Sequence, residues 1–171
     1  MTLRIRPETV GDQQAIRIVH EQAFDTPNEA HLVDLLRKAG KATVSLVAVQ
    51  NESIVGHILF SPVTIENSSP NLVALGLAPL AVLPEFQNSG IGSKLVREGL
   101  KICISNGWDI VVVLGHPTYY PRFGFSKASN YKLTNEYGVD DPFMALEMTE
   151  RALSRVSGLV KYASEFGVVG T

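Results

Sequence analysis

The chain has 171 residues, 45% of them hydrophobic and 19% charged. That is enough apolar material for one folded domain with a full core, and it excludes a disordered chain. Fifteen basic residues stand against 17 acidic ones, for a net charge of −2, which gives no support to a nucleic-acid or polyanion partner. The single cysteine, Cys103, excludes an internal disulfide framework and a cysteine-rich zinc site.

No metal cluster is apparent in the sequence. The N-terminal MTLRIRPETVGD has no apolar core of signal-peptide length and no apolar run reaches the length of a membrane span, so a soluble cytoplasmic protein without membrane contacts is expected.

LRIRPET alternates and predicts a short strand over Leu3–Arg6. Asp12 is a candidate N-cap for a helix with Ala15, Ile16, Val19 and Ala23 on one face. Thr26-Pro27-Asn28-Glu29 offers a capping box with proline at the first helical position. Leu32, Leu35, Leu36 and Ala39 form the apolar stripe of that second helix, and Gly40 stops it.

TVSLVAVQ and SIVGHILFSPVTIE, joined by Asn51-Glu52, read as a hairpin; NSSPN at 67–71 reads as a loop. NLVALGLAPLAVLP is almost wholly apolar, as a central strand is. A helix over Ile91–Asn106 follows. Leu95, Val96, Gly99, Leu100 and Cys103 lie on its inner face, and Gly107 ends it. DIVVVLG is a further buried strand, and FMALEM and GLVKYA are later strand candidates. The order implies one α/β domain over residues 1–171, a mixed sheet with flanking helices.

The stretch VLPEFQNSGIGSKL joins a strand to a helix start. A helix N-terminus carries orphan N–H donors and partial positive charge. Glycine at 90 and 92 removes side chains that would keep a phosphate from that backbone. Asn88 and Ser89 can add donors, and Gln87 can brace the turn. The same glycines also fit a tight connection with close helix–strand packing. The order Gln-x-x-Gly-x-Gly is neither a Walker loop nor the dinucleotide fingerprint.

PEFQNSGIGSKL resembles the acyl-CoA pyrophosphate loop of the GNAT superfamily of N-acetyltransferases. YYPRFGF, Tyr119 to Phe125, is similar to that family's aromatic-Tyr-x-x-x-Gly-Phe segment. The element order matches along nearly the whole chain. EAHLVDLLR, VGHILFSPV and GHPTYYPRFGF look closest to a bacterial branch of uncharacterised predicted N-acetyltransferases.

The resemblance implies a GNAT fold whose central sheet is splayed between the fourth and fifth strands. Pro79 would accompany a bulge there. It implies acetyl-CoA as co-substrate, with pantetheine on the backbone of Leu80, Ala81 and Val82. The diphosphate would lie on Gln87, Asn88, Ser89, Gly90, Ile91, Gly92 and Ser93. An N–H near Leu80 could stabilise the oxyanion. Tyr120 aligns with the tyrosine near the thioester sulfur, where a phenol acts as general acid; a core aromatic with a satisfied hydroxyl is the plainer alternative. Tyr119 and Phe123 would pack on the cofactor or the core.

The base stays open. The central strand holds no carboxylate, which leaves Glu21, Glu29, His57, His116 or water. Glu29 also has its capping-box role. His20 and His31 read as ordinary helix residues, and Cys103 as a buried structural thiol. The reading is direct transfer of an acetyl group to a primary amine, on a small molecule or a protein, in a ternary complex. Homodimers are common among such enzymes. A catalytically silent acyl-CoA-binding module is the alternative, and a nucleotide-binding domain using the same turn is a third.

Overall fold

The expected hairpin forms, between β2 (Val44–Gln50) and β3 (Ser53–Ser68), with Gln50 opposite Ser53. Its two connecting residues, Asn51 and Glu52, both have positive φ, 51° and 65°. Positive φ at both positions is the type I′ turn, one of the two whose twist matches that of the flanking strands. Asparagine tolerates the left-handed region; glutamate does so at a cost. Glu52→Gly should therefore raise stability by about 0.5–1 kcal/mol, read as a higher denaturant midpoint at unchanged slope.

The computed structural model describes residues 2–169, and they divide into two compact units. The first comprises residues up to Phe60, then 79–102, then 164 onward. Here β1 (Leu3–Pro7) pairs antiparallel with β2, and β2 with β3. Alternate residues of β3 face opposite sides. Gly56 and Phe60 face α3 (Ile91–Ser105): a Cβ on Gly56 would lie 3.1 Å from Leu95, and one on Gly99 2.5 Å from Phe60. His57 faces the other side, towards α1 (Gln13–Ala23). α2 (Asn28–Lys38) packs beside α1, burying Ala30, Leu32, Val33 and Leu36. Lys41 bonds Glu165 of the short α4 (Glu165–Val168) at 2.8 Å.

Two helix starts differ from expectation. Asp12 precedes α1 but makes no side-chain cap there. Its carboxylate instead accepts from the Thr9 N–H and from the Arg6 guanidinium, each at 2.7 Å. A 3-10 turn, Val10–Asp12, intervenes and takes the capping geometry one turn earlier. α2 begins at Asn28, after Pro27. The Thr26 hydroxyl accepts from the Asn28 N–H at 3.3 Å and donates to Glu29 at 3.4 Å, so Glu29 meets the hydroxyl rather than the backbone.

The second unit comprises residues 61–78 and 103–163. The first residues of β4 (Ala74–Val82) pair parallel with β5 (Ile110–Leu114), and β5 pairs antiparallel with β8 (Phe143–Glu147). Residues 110–113 are all buried, as befits a strand covered on both faces. β8 also pairs with β6 (Ser126–Lys127). The far end of β3 pairs with β9 (Val156–Lys161), and β9 runs parallel to β7 (Leu133–Asn135). Asn67 and Ser68 thus belong to a strand, and the expected loop starts only at Ser69. Cross-strand partners on β9 override the turn chemistry of NSSPN.

The parallel ladder between β4 and β5 ends at Leu77 opposite Val113. Pro79, which cannot donate to a ladder, comes two residues later, and β4 runs on to Val82. The fold is α/β with a mixed sheet flanked by helices. Cys103 lies fully buried on the inner face of α3, and burial pushes its thiol up to about 12.

Candidate functional site

The turn at 83–90 is built around one left-handed pair. Asn88 has φ +61° and Gly90 φ +90°. No heavy atom lies within 4 Å of a Cβ built on Gly90, so conformation and not crowding calls for glycine. The Gln87 side chain donates from Nε2 to the Val82 carbonyl at 2.9 Å and ties the turn to the end of β4. The Ser89 hydroxyl donates to the Phe86 carbonyl. Gly90 gives α3 its first carbonyl, accepting from the Lys94 N–H at 3.0 Å.

Ile91 is buried, with its Cγ2 3.3 Å from a Cβ on Gly56, and so anchors the helix start. Asn88, Ser89 and Gly90 are exposed and Gly92 and Ser93 half-buried. An exposed helix N-terminus behind a left-handed turn offers a concave run of amide donors with positive potential. Lys94 and Arg97, both exposed, follow on the first turns of α3. Ala81 and Val82 are buried and Leu80 half-buried.

In the second unit, the motif YYPRFGF forms a 3-10 turn, Tyr120–Phe123, ended by Gly124. The His116 carbonyl accepts from the N–H groups of Tyr119 and Tyr120, at 3.0 and 3.3 Å. Tyr120 is 8% exposed, and its ring stands edge-on to Tyr119 and Phe125, at 5.0 and 5.7 Å. Gly115 is the reason it fits, since a Cβ there would meet the Tyr120 ring at 2.2 Å. Burial, then the neighbouring Tyr119, raises the Tyr120 phenol well above its ordinary value. Tyr119 and Phe123 are half-buried and lie edge to face at 5.2 Å, and the Arg122 guanidinium sits 4.6 Å above the Tyr119 ring.

The base candidates fare differently. Glu21 is exposed and lies 3.7 Å from Arg17. Glu29 meets Thr26, and the His116 side chain is exposed. His57 is wholly buried. His20 corrects the expectation of an ordinary helix residue: it too is wholly buried, with Nε2 2.8 Å from His57 Nδ1. The signal was present, because His20 stands four residues after Ile16, inside the apolar stripe of α1. Glu8, Ser45 and Arg37, which complete this cluster, carried no motif at all. Among the described residues, no group of three or more His, Cys, Asp or Glu could hold a metal ion. No helix there is long and apolar enough to cross a membrane.

Comparison with known proteins agrees with both motifs. Residues 4–128 match the family model described as acetyltransferase (GNAT) domain. The chain is 36% identical over 164 residues to the uncharacterized N-acetyltransferase YhbS of Escherichia coli, covering 95% of this chain and 97% of that one. It is 40% identical over 124 residues to a second E. coli protein, the uncharacterized N-acetyltransferase YjhQ, covering 71% and 68%.

The crystal structure of YhbS in complex with CoA superposes with a TM-score of 0.90 at 35% identity, covering 96% of this chain and 91% of that one. A GNAT acetyltransferase from Brucella melitensis, solved in complex with acetyl-CoA, gives 0.79 at 36% identity, covering 96% and 98%. Taken with the loop and the tyrosine turn, these likenesses establish that the chain belongs to the GNAT family of acetyltransferases.

Proposed function

We propose that residues 1–171 act as a single N-acetyltransferase domain that moves an acetyl group from acetyl-CoA to a primary amine of a small molecule or protein. The observation that carries this reading is the left-handed turn at Asn88 and Gly90 opening α3. It supplies the amide donors a diphosphate needs, and two relatives of 35% and 36% identity were solved with CoA and acetyl-CoA. The loop Gln87–Ser93 would hold the diphosphate, and the backbone of Leu80, Ala81 and Val82 the pantetheine. Tyr119 and Phe123 would pack against the cofactor.

In a ternary complex the amine attacks the acetyl carbonyl carbon, a C–N bond forms and the C–S bond breaks. Tyr120, kept protonated by burial, is assigned the proton that the leaving thiolate takes. Thermal unfolding with acetyl-CoA, CoA, ATP and NAD in parallel tests the cofactor. Acetyl-CoA at 100 times its Kd should add about 2.7 kcal/mol of stability. The shift should appear with both CoA species and vanish in a folded Gly90→Glu variant. A larger shift with ATP or NAD would overturn the reading.

The residues Ala74–Val82 hold no carboxylate. That observation favours a second reading, a domain that binds acyl-CoA without transfer. Turnover of any amine in a panel of an amino acid, a polyamine, an aminoglycoside and a lysine-bearing peptide excludes it.

A further inference from the structure

The second unit gathers one carboxylate and three tyrosines from distant parts of the chain. Tyr162 follows β9 and is buried. Its ring takes the space that a side chain at Gly76 would fill, since a Cβ there would meet it at 2.5 Å. Gly76 directly precedes Leu77, the last residue of β4 paired with β5. Tyr162 therefore covers β4 just where that pairing stops.

The two ends of Tyr162 have different neighbours. Its backbone N–H donates to Glu136 Oε1 at 3.0 Å. Its phenol is raised by burial first and then by the phenols of Tyr137 and Tyr120, so the hydroxyl stays protonated. The side chain thus reaches from the Glu136 carboxylate towards Tyr120, the phenol assigned the leaving proton.

The Glu136 end is open and braced. Glu136 and Tyr137 follow β7, and both are exposed. Beneath them Asn135 is buried; its Nδ2 donates to the Val139 carbonyl at 2.7 Å, and its Oδ1 accepts from the Tyr137 N–H at 2.9 Å. Gly138, at φ +68°, closes the turn. The Tyr137 ring lies 6.2 Å from that of Tyr162, tilted by 53°. The Glu136 charge reaches Tyr137, whose phenol is raised by burial first and by Glu136 second. Among the described residues no lysine, arginine or histidine pairs with Glu136. A carboxylate held beside an exposed tyrosine ring suits an ammonium, which pairs with the one and is drawn to the face of the other.

We propose that Glu136 and Tyr137 form a subsite for a second ammonium group of the acceptor, so that diamines and other amines with a distal positive charge are the favoured substrates. The inference rests on the acetyltransfer reading. The reacting amine lies towards the tip of Tyr162, at Tyr120, and the distal ammonium lies at its backbone end, on Glu136. One tyrosine side chain thereby sets the spacing that the acceptor must match.

Calorimetry on the protein saturated with CoA tests it. The probes are 1,4-diaminobutane, 1,6-diaminohexane, 1,8-diaminooctane and the monoamines of equal length. The best diamine should bind about tenfold more tightly than its monoamine, as an exposed ion pair and an exposed cation–ring contact together provide. Glu136→Gln keeps an acceptor for the Tyr162 N–H and should cut that preference about three- to fivefold. Tyr137→Phe should keep the remainder, and Tyr137→Leu should lose it. Monoamine affinity should not move in any of these variants, and added salt should weaken the diamine alone. In turnover the same variants should raise KM for the diamine and leave kcat in place. Equal affinity of wild type for diamine and monoamine overturns the proposal. So does an equal loss for both in Glu136→Gln, which would put Glu136 at the reacting amine. A diamine that binds in the expected pattern, with no amine of the panel acetylated, sinks the transfer reading, while the cation subsite stands as a binding site.

Discussion

Tyr120→Phe should fold normally, bind acetyl-CoA as wild type does, and lose about 10²–10⁴-fold in kcat, the range that one positioned proton donor supplies. The ring is the larger part of this residue's packing. It stands edge-on to Tyr119 and Phe125 and fills the space beside Gly115. Phenylalanine keeps all of those contacts, so loss of the hydroxyl alone is isolated. Burial and Tyr119 hold the phenol protonated across the physiological range. The wild-type rate should accordingly show no alkaline limb from this group below pH 9. Steady-state kinetics with direct measurement of acetyl-CoA affinity decides the matter: a kcat within threefold of wild type would remove Tyr120 from the chemistry and leave it a core aromatic.

The second large effect is acid lability. His20 has its folded pKa lowered from 6.5 to about 3, by burial first and by His57 and Arg37 after it. His57 is lowered too, by burial first, with Arg37 in the same sense and Glu8 opposing. A histidine with a depressed folded pKa stabilises the fold above its unfolded value and loses that contribution as pH falls, because only the unfolded chain takes the proton. A group protonated in the unfolded chain and neutral in the folded one removes about 1.4 kcal/mol per pH unit between the two values. His20 alone should therefore cost about 3 kcal/mol between pH 6.5 and 4.5, with His57 adding in the same direction. Below pH 4.5 the Glu8 carboxylate, held down at about 2, joins with the same sign. Denaturant unfolding across this range should show stability falling steeply from pH 6.5. A His20→Gln variant, whose amide can still donate to His57, should flatten the slope by about one proton. A stability independent of pH between 6.5 and 4.5 would contradict the neutral buried pair.

Much of this fold could be read from the chain because its signals were local. The stripe on α3, the apolar run of β5, and the Asn51-Glu52 turn each declare an element within a few residues. The two functional motifs were legible for the same reason, since a left-handed turn and an aromatic cluster are written in consecutive letters. What escaped depends on partners distant in sequence. Asn67 and Ser68 extend β3 only because β9, some 90 residues later, pairs with them. The strands β6 and β7, of two and three residues, are too short to carry a period. The hydrogen-bonded cluster of Glu8, Ser45, His57 and His20 draws on the residue after β1 and on β2, β3 and α1, and no single segment announces it. Asp12 misled because a carboxylate beside a helix start serves equally well as the partner of an arginine six residues earlier.

The solitary thiol of Cys103 gives the molecule a built-in clock. Wholly buried, and with its proton held until about pH 12, it presents no nucleophile to an alkylating reagent while α3 stays packed. Labelling at neutral pH can then proceed only through openings that release this helix. Its rate, followed by mass, times those openings without any engineered probe, and acetyl-CoA bound only to the closed form should slow it by the factor 1 + [L]/Kd.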